Sequence, residues 1–172
     1  MMARNMGKLE QQRFTGTHSA EDTWQALNTP LTGDLGEAVN PFVTISYEGL
    51  GDEGLVRPGT LIVYIPDTER IRTHLGAIAD MLPDDVAMRV EDYDPDARTR
   101  RDVVVSDKYG GELRYGVEDT GETGLLTVEG ELLLGGMYKM VDGTITSYAQ
   151  RGLAAHYGRV LEHVPTILGQ DA

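Results

Sequence analysis

The 172-residue chain contains no cysteine. Disulfides, thiolate metal sites and cysteine nucleophiles are thereby removed together. Nor does any apolar run approach the ~18 residues needed to span a bilayer, so membrane insertion is not expected. The opening stretch from Met1 to Phe14 lacks the apolar segment of a secretory signal, and a cytoplasmic location is expected. Basic residues are scarce: 15 Lys and Arg stand against 28 Asp and Glu, for a formal net charge of −13. The densest basic group, Arg98 with Arg100 and Arg101, is too small to serve a phosphate backbone, so nucleic acid is not an expected partner. The excess acid reads as a soluble, self-repelling surface. Phenylalanine is also rare, with two residues against eight tyrosines, so most aromatic positions carry a hydroxyl.

Further absences bear on chemistry. His156 and His163 lie seven residues apart, ~10 Å along a helix, which is too far to share one ion. His18 and His74 lie elsewhere, so neither metal nor cofactor is expected. The acidic run Glu91 to Asp96 lacks calcium-loop spacing, and Pro95 makes it a solvated turn. No Gly-x-Ser-x-Gly, Gly-x-Gly-x-x-Gly or Walker pattern is found. Paired catalytic carboxylates cannot be picked out, because nearly all acids fall on outer faces or in loops.

What remains is an ordinary globular composition, 40% hydrophobic and 25% charged. It suits one domain over residues 1–172, with residues 1–7 expected to be disordered. Leu9 to Thr17 reads as a first strand. Ser19 is a good N-cap, with Asp22 three residues on, for a helix carrying Trp24 and Leu27 and ending near Asn28 before Pro30. A short second helix can form between Leu31 and Asn40. From Phe42 the period becomes two, with Val43, Ile45 and Tyr47 on one face. Gly59 to Ile65 is a β-branched strand, followed by a helix from Thr68 to Leu82 capped by Asp67 and stopped by Pro83. Its stripe is Ile71, Leu75, Ile78 and Leu82. Strands follow at Val86–Val90, Arg101–Asp107, Leu113–Val117 and Gly124–Leu134, the third after a Gly110-Gly111 hairpin signal. A long helix from Thr144 to about Val164 closes the chain. Its apolar and small face is Ile145, Ala149, Gly152, Leu153, His156, Val160 and Val164.

Helices before and after a consecutive meander give an α+β fold, since no alternating βαβ crossover exists. Phe14-Thr15-Gly16-Thr17 running into Ser19 to Pro30, the Pro58-Gly59-Thr60 strand entry, and Gly124-Leu125-Leu126-Thr127-Val128 leading to the terminal helix together resemble the START-like, or SRPBCC, superfamily. It includes polyketide cyclase-like and Bet v 1-like proteins. The resemblance implies a helix-grip fold: a curved seven-stranded antiparallel sheet around a long C-terminal helix, with two short helices after the first strand. The inserted helix near 68–82 departs from the pattern, as a lid or as an extra structural helix. The resemblance further implies a cavity for a hydrophobic small molecule, lipid or polyketide-like.

The mid-stripe small residues Ala149 and Gly152 leave space consistent with such a cavity. Candidate ligand-binding residues are Tyr47, Tyr64, Met88, Tyr115, Leu132, Tyr148, Gly152 and His156. Inward tyrosines would give an apolar wall with hydrogen-bonding tips, although the same residues also suit an ordinary core. Tyr93 and Tyr109 fall by turns and are expected at the surface. Met88, Met137 and Met140 are adaptable gap-fillers. Two alternatives stand beside ligand binding. One is a cyclase- or dehydratase-type enzyme using His156 with Arg101, Arg114 or Tyr115. The other is a protein-interaction module, with the 68–82 stripe as a face for a homodimer.

Overall fold

The computed structural model describes residues 5–106, 110–134 and 142–170. Seven strands form one antiparallel sheet: β1 (Asn5–Thr15), β2 (Val43–Glu48), β3 (Leu61–Pro66), β4 (Val86–Asp94), β5 (Thr99–Val104), β6 (Gly110–Asp119) and β7 (Gly124–Leu134). Their order is β1-β7-β6-β5-β4-β3-β2, so a meander from β2 to β7 closes onto the first strand. The helices are α1 (Ala20–Leu27), α2 (Gly33–Val39), α3 (Thr68–Leu75), α4 (Asp142–Glu162) and the short α5 (Val164–Ile167).

Local chemistry sets the elements. Ser19 caps α1 by accepting the Asp22 N–H at 3.1 Å, with Glu21 and Asp22 in the first turn suiting the dipole. Asp67 caps α3 by accepting the Arg70 N–H at 3.1 Å. Alternation decides the inner face of the sheet: Ile45, Ile62, Met88, Val90, Leu113, Tyr115, Val117, Leu126 and Val128 are all buried. Their neighbours Thr44, Ser46 and Arg89 are exposed.

Several boundaries differ from the sequence expectation. β1 begins at Asn5, where residues 5–8 pair with Glu131 to Leu134 of β7, and residues 1–4 lie outside the described residues. β5 begins at Thr99, two residues before the expected start. The helix expected over 68–82 breaks at Gly76, whose φ of +63° ends α3, and the chain continues as a 3₁₀ turn over Gly76–Met81. Of its stripe, Ile71 is buried and Leu82 half-buried, while the Leu75 and Ile78 side chains fall outside the described residues. Tyr93 is not a free surface residue: its ring packs on Trp24 at 5.4 Å. Tyr109, Met137 and Met140 lie outside the described residues.

The helix α4 meets β1 on one side, while α2 bridges α4 to the opposite sheet edge at β2. Supported at both edges, α4 crosses the concave face without filling the space above the middle strands. Its inner stripe is Ala149, Leu153, Tyr157 and Val160, at spacings of four, four and three, and Val164 at the start of α5 continues the same face.

Candidate functional site

The space between α4 and the sheet is a cavity of about 510 Å³. Its sheet wall includes Leu9, Val43, Tyr64, Met88, Val104 and Leu113, and its helix wall includes Tyr148, Ala149, Gly152, Leu153, His156 and Tyr157. The segment after β3 contributes Ile71, His74, Leu82 and Pro83, so the inserted helix stands at the cavity. A second, small space of about 30 Å³ adjoins it, large enough for a water molecule. Tyr64, His156 and Tyr157 line both.

The candidate residues separate into groups. Tyr64, Met88, Tyr148, Gly152 and His156 come together on the large cavity. A Cβ built on Gly152 would meet nothing within 4 Å. Tyr47 lines only the small space, where its hydroxyl oxygen accepts the Leu31 N–H at 2.9 Å. Tyr115 lies beneath the cavity floor rather than on it, its hydroxyl 2.7 Å from that of Tyr157. Leu132 stands in β7, paired with Gly111 and Gly7, and its side chain lies outside the described residues. Arg101 and Arg114 do not line the cavity. Asp92 and Glu112 hold the first, and Glu112 and Glu129 the second. Strand alternation turns Arg101 away from the side taken by its neighbours.

Those neighbours, Arg100 and Asp102, form a buried ion pair absent from the sequence expectation. Arg100 Nε and Nη2 donate to the two Asp102 oxygens at 2.9 and 2.8 Å. Arg100 Nη1 donates to Asn28 Oδ1 at 3.0 Å and to the Leu27 carbonyl at 3.2 Å, where α1 ends. The guanidinium lies 4.8 Å over the Tyr115 ring. Burial pushes the Asp102 carboxyl upward, and Arg100 opposes that shift. The valine run at 103–105 hid this pair, because three consecutive valines do not reveal which face is inward.

His156 is oriented by Asn40, the residue that follows α2. The Phe42 N–H donates to Asn40 Oδ1 at 3.1 Å, which leaves Asn40 Nδ2 as the donor facing His156 Nδ1 at 3.2 Å. Nδ1 must therefore accept, and the neutral ring carries its proton on Nε2. Burial, helped by the nearby Arg159 charge, lowers the His156 pKa to about 4. Nε2 has no partner among the described residues, and neither does the Tyr64 hydroxyl, which burial pushes well above the ordinary tyrosine range. Tyr157 was also missed by the sequence reading, although its place four residues after Leu153 puts it on the stripe. It stacks edge-on with His156 at 4.8 Å and with Tyr115 at 5.5 Å.

No protein-family model and no curated protein matches the chain. Solved structures do. Norcoclaurine synthase from Thalictrum flavum, in complex with dopamine and hydroxybenzaldehyde, matches with a TM-score of 0.62 at 15% identity, covering 99% of this chain and 90% of that one. The Zhui aromatase/cyclase from Streptomyces sp. R1128 gives 0.65 at 10% identity, covering 96% of each. A START superfamily protein from Mycobacterium smegmatis gives 0.58 at 16% identity, covering 93% of this chain and 99% of that one. Identities this low establish shared architecture and nothing finer. The chain has the START-like helix-grip fold, a curved seven-stranded antiparallel sheet closed by a long C-terminal helix.

Proposed function

We propose that the protein binds a hydrophobic small molecule, lipid-like or aromatic, between the sheet and α4. The observation that carries this reading is the cavity of about 510 Å³ with mainly apolar walls. Interiors ordinarily pack as densely as organic crystals, and each void costs stability. A space this large lies within the ~300–1,000 Å³ of ligand pockets. Tyr64, Tyr148 and His156 supply a few polar tips in an apolar wall, the composition that orients an oxygen-bearing ligand. The solved norcoclaurine synthase holds two aromatic compounds on the same architecture, which supports aromatic ligands as one class.

Native mass spectrometry of protein purified from its own source, followed by denaturation, tests the reading. One apolar compound per chain is expected. A chain that arrives empty and does not take up the neutral dye Nile red at unit stoichiometry overturns it. Cyclase- or dehydratase-type catalysis on the same scaffold has less support. An imidazole with a pKa of about 4 is a weak base, far from the near-neutral value that best serves proton transfer.

A further inference from the structure

The charge distribution around the cavity carries information beyond its size. Most described arginines reach a carboxylate; Arg13, Arg57, Arg151 and Arg159 reach none among the described residues. Two of these four line the large cavity: Arg151, which is exposed to solvent, and Arg159, which is half-buried. In a chain with a net charge of −13, acids are plentiful, so a half-buried cation left without one at an apolar cavity, as Arg159 is, is unexpected on composition alone. Arg159 stands in the last turn of α4, where a cation complements the helix dipole. The dipole does not account for the side chain opening onto an apolar space. One Arg159 nitrogen, Nη1, donates to the Val39 carbonyl at 3.3 Å, and the remaining N–H groups have no partner among the described residues.

Beside Arg159 lies His156, whose Nδ1 is taken by Asn40 and whose Nε2–H is left as a donor. The Tyr64 hydroxyl lines the same cavity without a partner among the described residues. Glu112 is the one carboxylate among the lining residues, and Arg101 and Arg114 already hold it. The polar side of the cavity is therefore rich in donors and positive charge.

We infer that the ligand is an acid: an apolar acyl or aryl body ending in a carboxylate, seated against Arg159 and His156 of α4. This deepens the binding reading above and rests on it. The guanidinium supplies paired donors matched to a carboxylate, and Nε2–H adds a neutral one. A carboxylate entering an apolar cavity loses its hydration, which is tolerated only when a cation and hydrogen bonds replace the water.

Two matched fluorescent pairs test the assignment at pH 7.5: cis-parinaric acid with its methyl ester, and 6-methoxy-2-naphthylacetic acid with its methyl ester. The acid of at least one pair is expected to bind roughly ten- to hundredfold more tightly than its ester, the range of a charge-assisted hydrogen bond. The pair that binds shows whether the body is acyl or aryl. Arg159→Gln is expected to lower that acid's affinity by roughly tenfold and leave the ester unchanged. Arg13→Gln, which lies off the cavity, leaves both unchanged. Equal binding of acid and ester in the wild-type chain overturns the inference and leaves the cavity reading standing. Failure of all four probes in a chain that still takes up Nile red overturns the inference alone; failure of Nile red as well removes both. A loss shared equally by acid and ester in Arg159→Gln, with unfolding temperature lowered, makes Arg159 structural and likewise overturns the assignment.

Discussion

Arg100 ties three parts of the molecule together: Asp102 beside it on β5, the end of α1 at Leu27 and Asn28, and the Tyr115 ring on β6. A buried ion pair is weak evidence of net stabilisation, but breaking one partner is costly because the other stays buried and unpaired. Arg100→Met and Asp102→Leu should each lose about 3–5 kcal/mol in urea unfolding, and the double variant should recover much of that loss. Additive single losses would show that the two charges are not coupled.

His156 makes a pH prediction at the same scale. Its folded pKa of about 4 lies below the ordinary histidine value of 6.5, so the unfolded chain binds the proton more readily between those limits. Above about pH 6.5 its titration does not affect stability. As pH falls from 6.5 toward 4, stability should decline, by up to about 3 kcal/mol from this residue. His156→Gln keeps a donor and removes the titration, and should flatten the decline measured by thermal unfolding between pH 7 and 4. An identical slope in both proteins would place the acid sensitivity elsewhere.

Among the elements, β7 is the most constrained. Gly130 faces Leu113 of β6, and a Cβ built on it would lie 2.2 Å from the Glu112 carbonyl oxygen. The backbone there cannot yield without disturbing the sheet, so Gly130→Ala should cost about 1–3 kcal/mol or more. Hydrogen exchange at β6 and β7 would locate the loss; unchanged protection there would show that the strand can shift. The remaining elements show where sequence signals suffice. The Ser19 and Asp67 caps, the β7 limits and the succession of strands along the chain were legible because each depends on neighbours in the chain, whereas the pairing of β1 with β7 does not. The break at Gly76 was less legible. A continuous apolar stripe from Ile71 to Leu82 outweighed a single glycine, yet positive φ at that residue ended α3.

For the whole molecule, local periodicity identified an α+β meander gripped by a terminal helix, because inward and outward residues alternate with fixed periods along each element. It also brought Tyr64, Met88, Tyr148, Gly152 and His156 to one face each, and these meet at the cavity. Tertiary structure decided the rest. Whether Tyr47 and Tyr115 open onto the cavity depends on partners distant in sequence, Leu31 and Tyr157, which occupy their hydroxyls. The inward pair Arg100 and Asp102 depends on the register of β5 against β4 and β6, and a one-residue shift exchanges the two faces. The tautomer of His156 is set by Asn40, 116 residues away. Burial of the polar groups, the cavity volume and the arginines left without carboxylates are properties of three-dimensional neighbours. The sequence alone determined the periodicities and the charge; which charges and hydroxyls are left for a ligand was decided only when the sheet closed beneath α4.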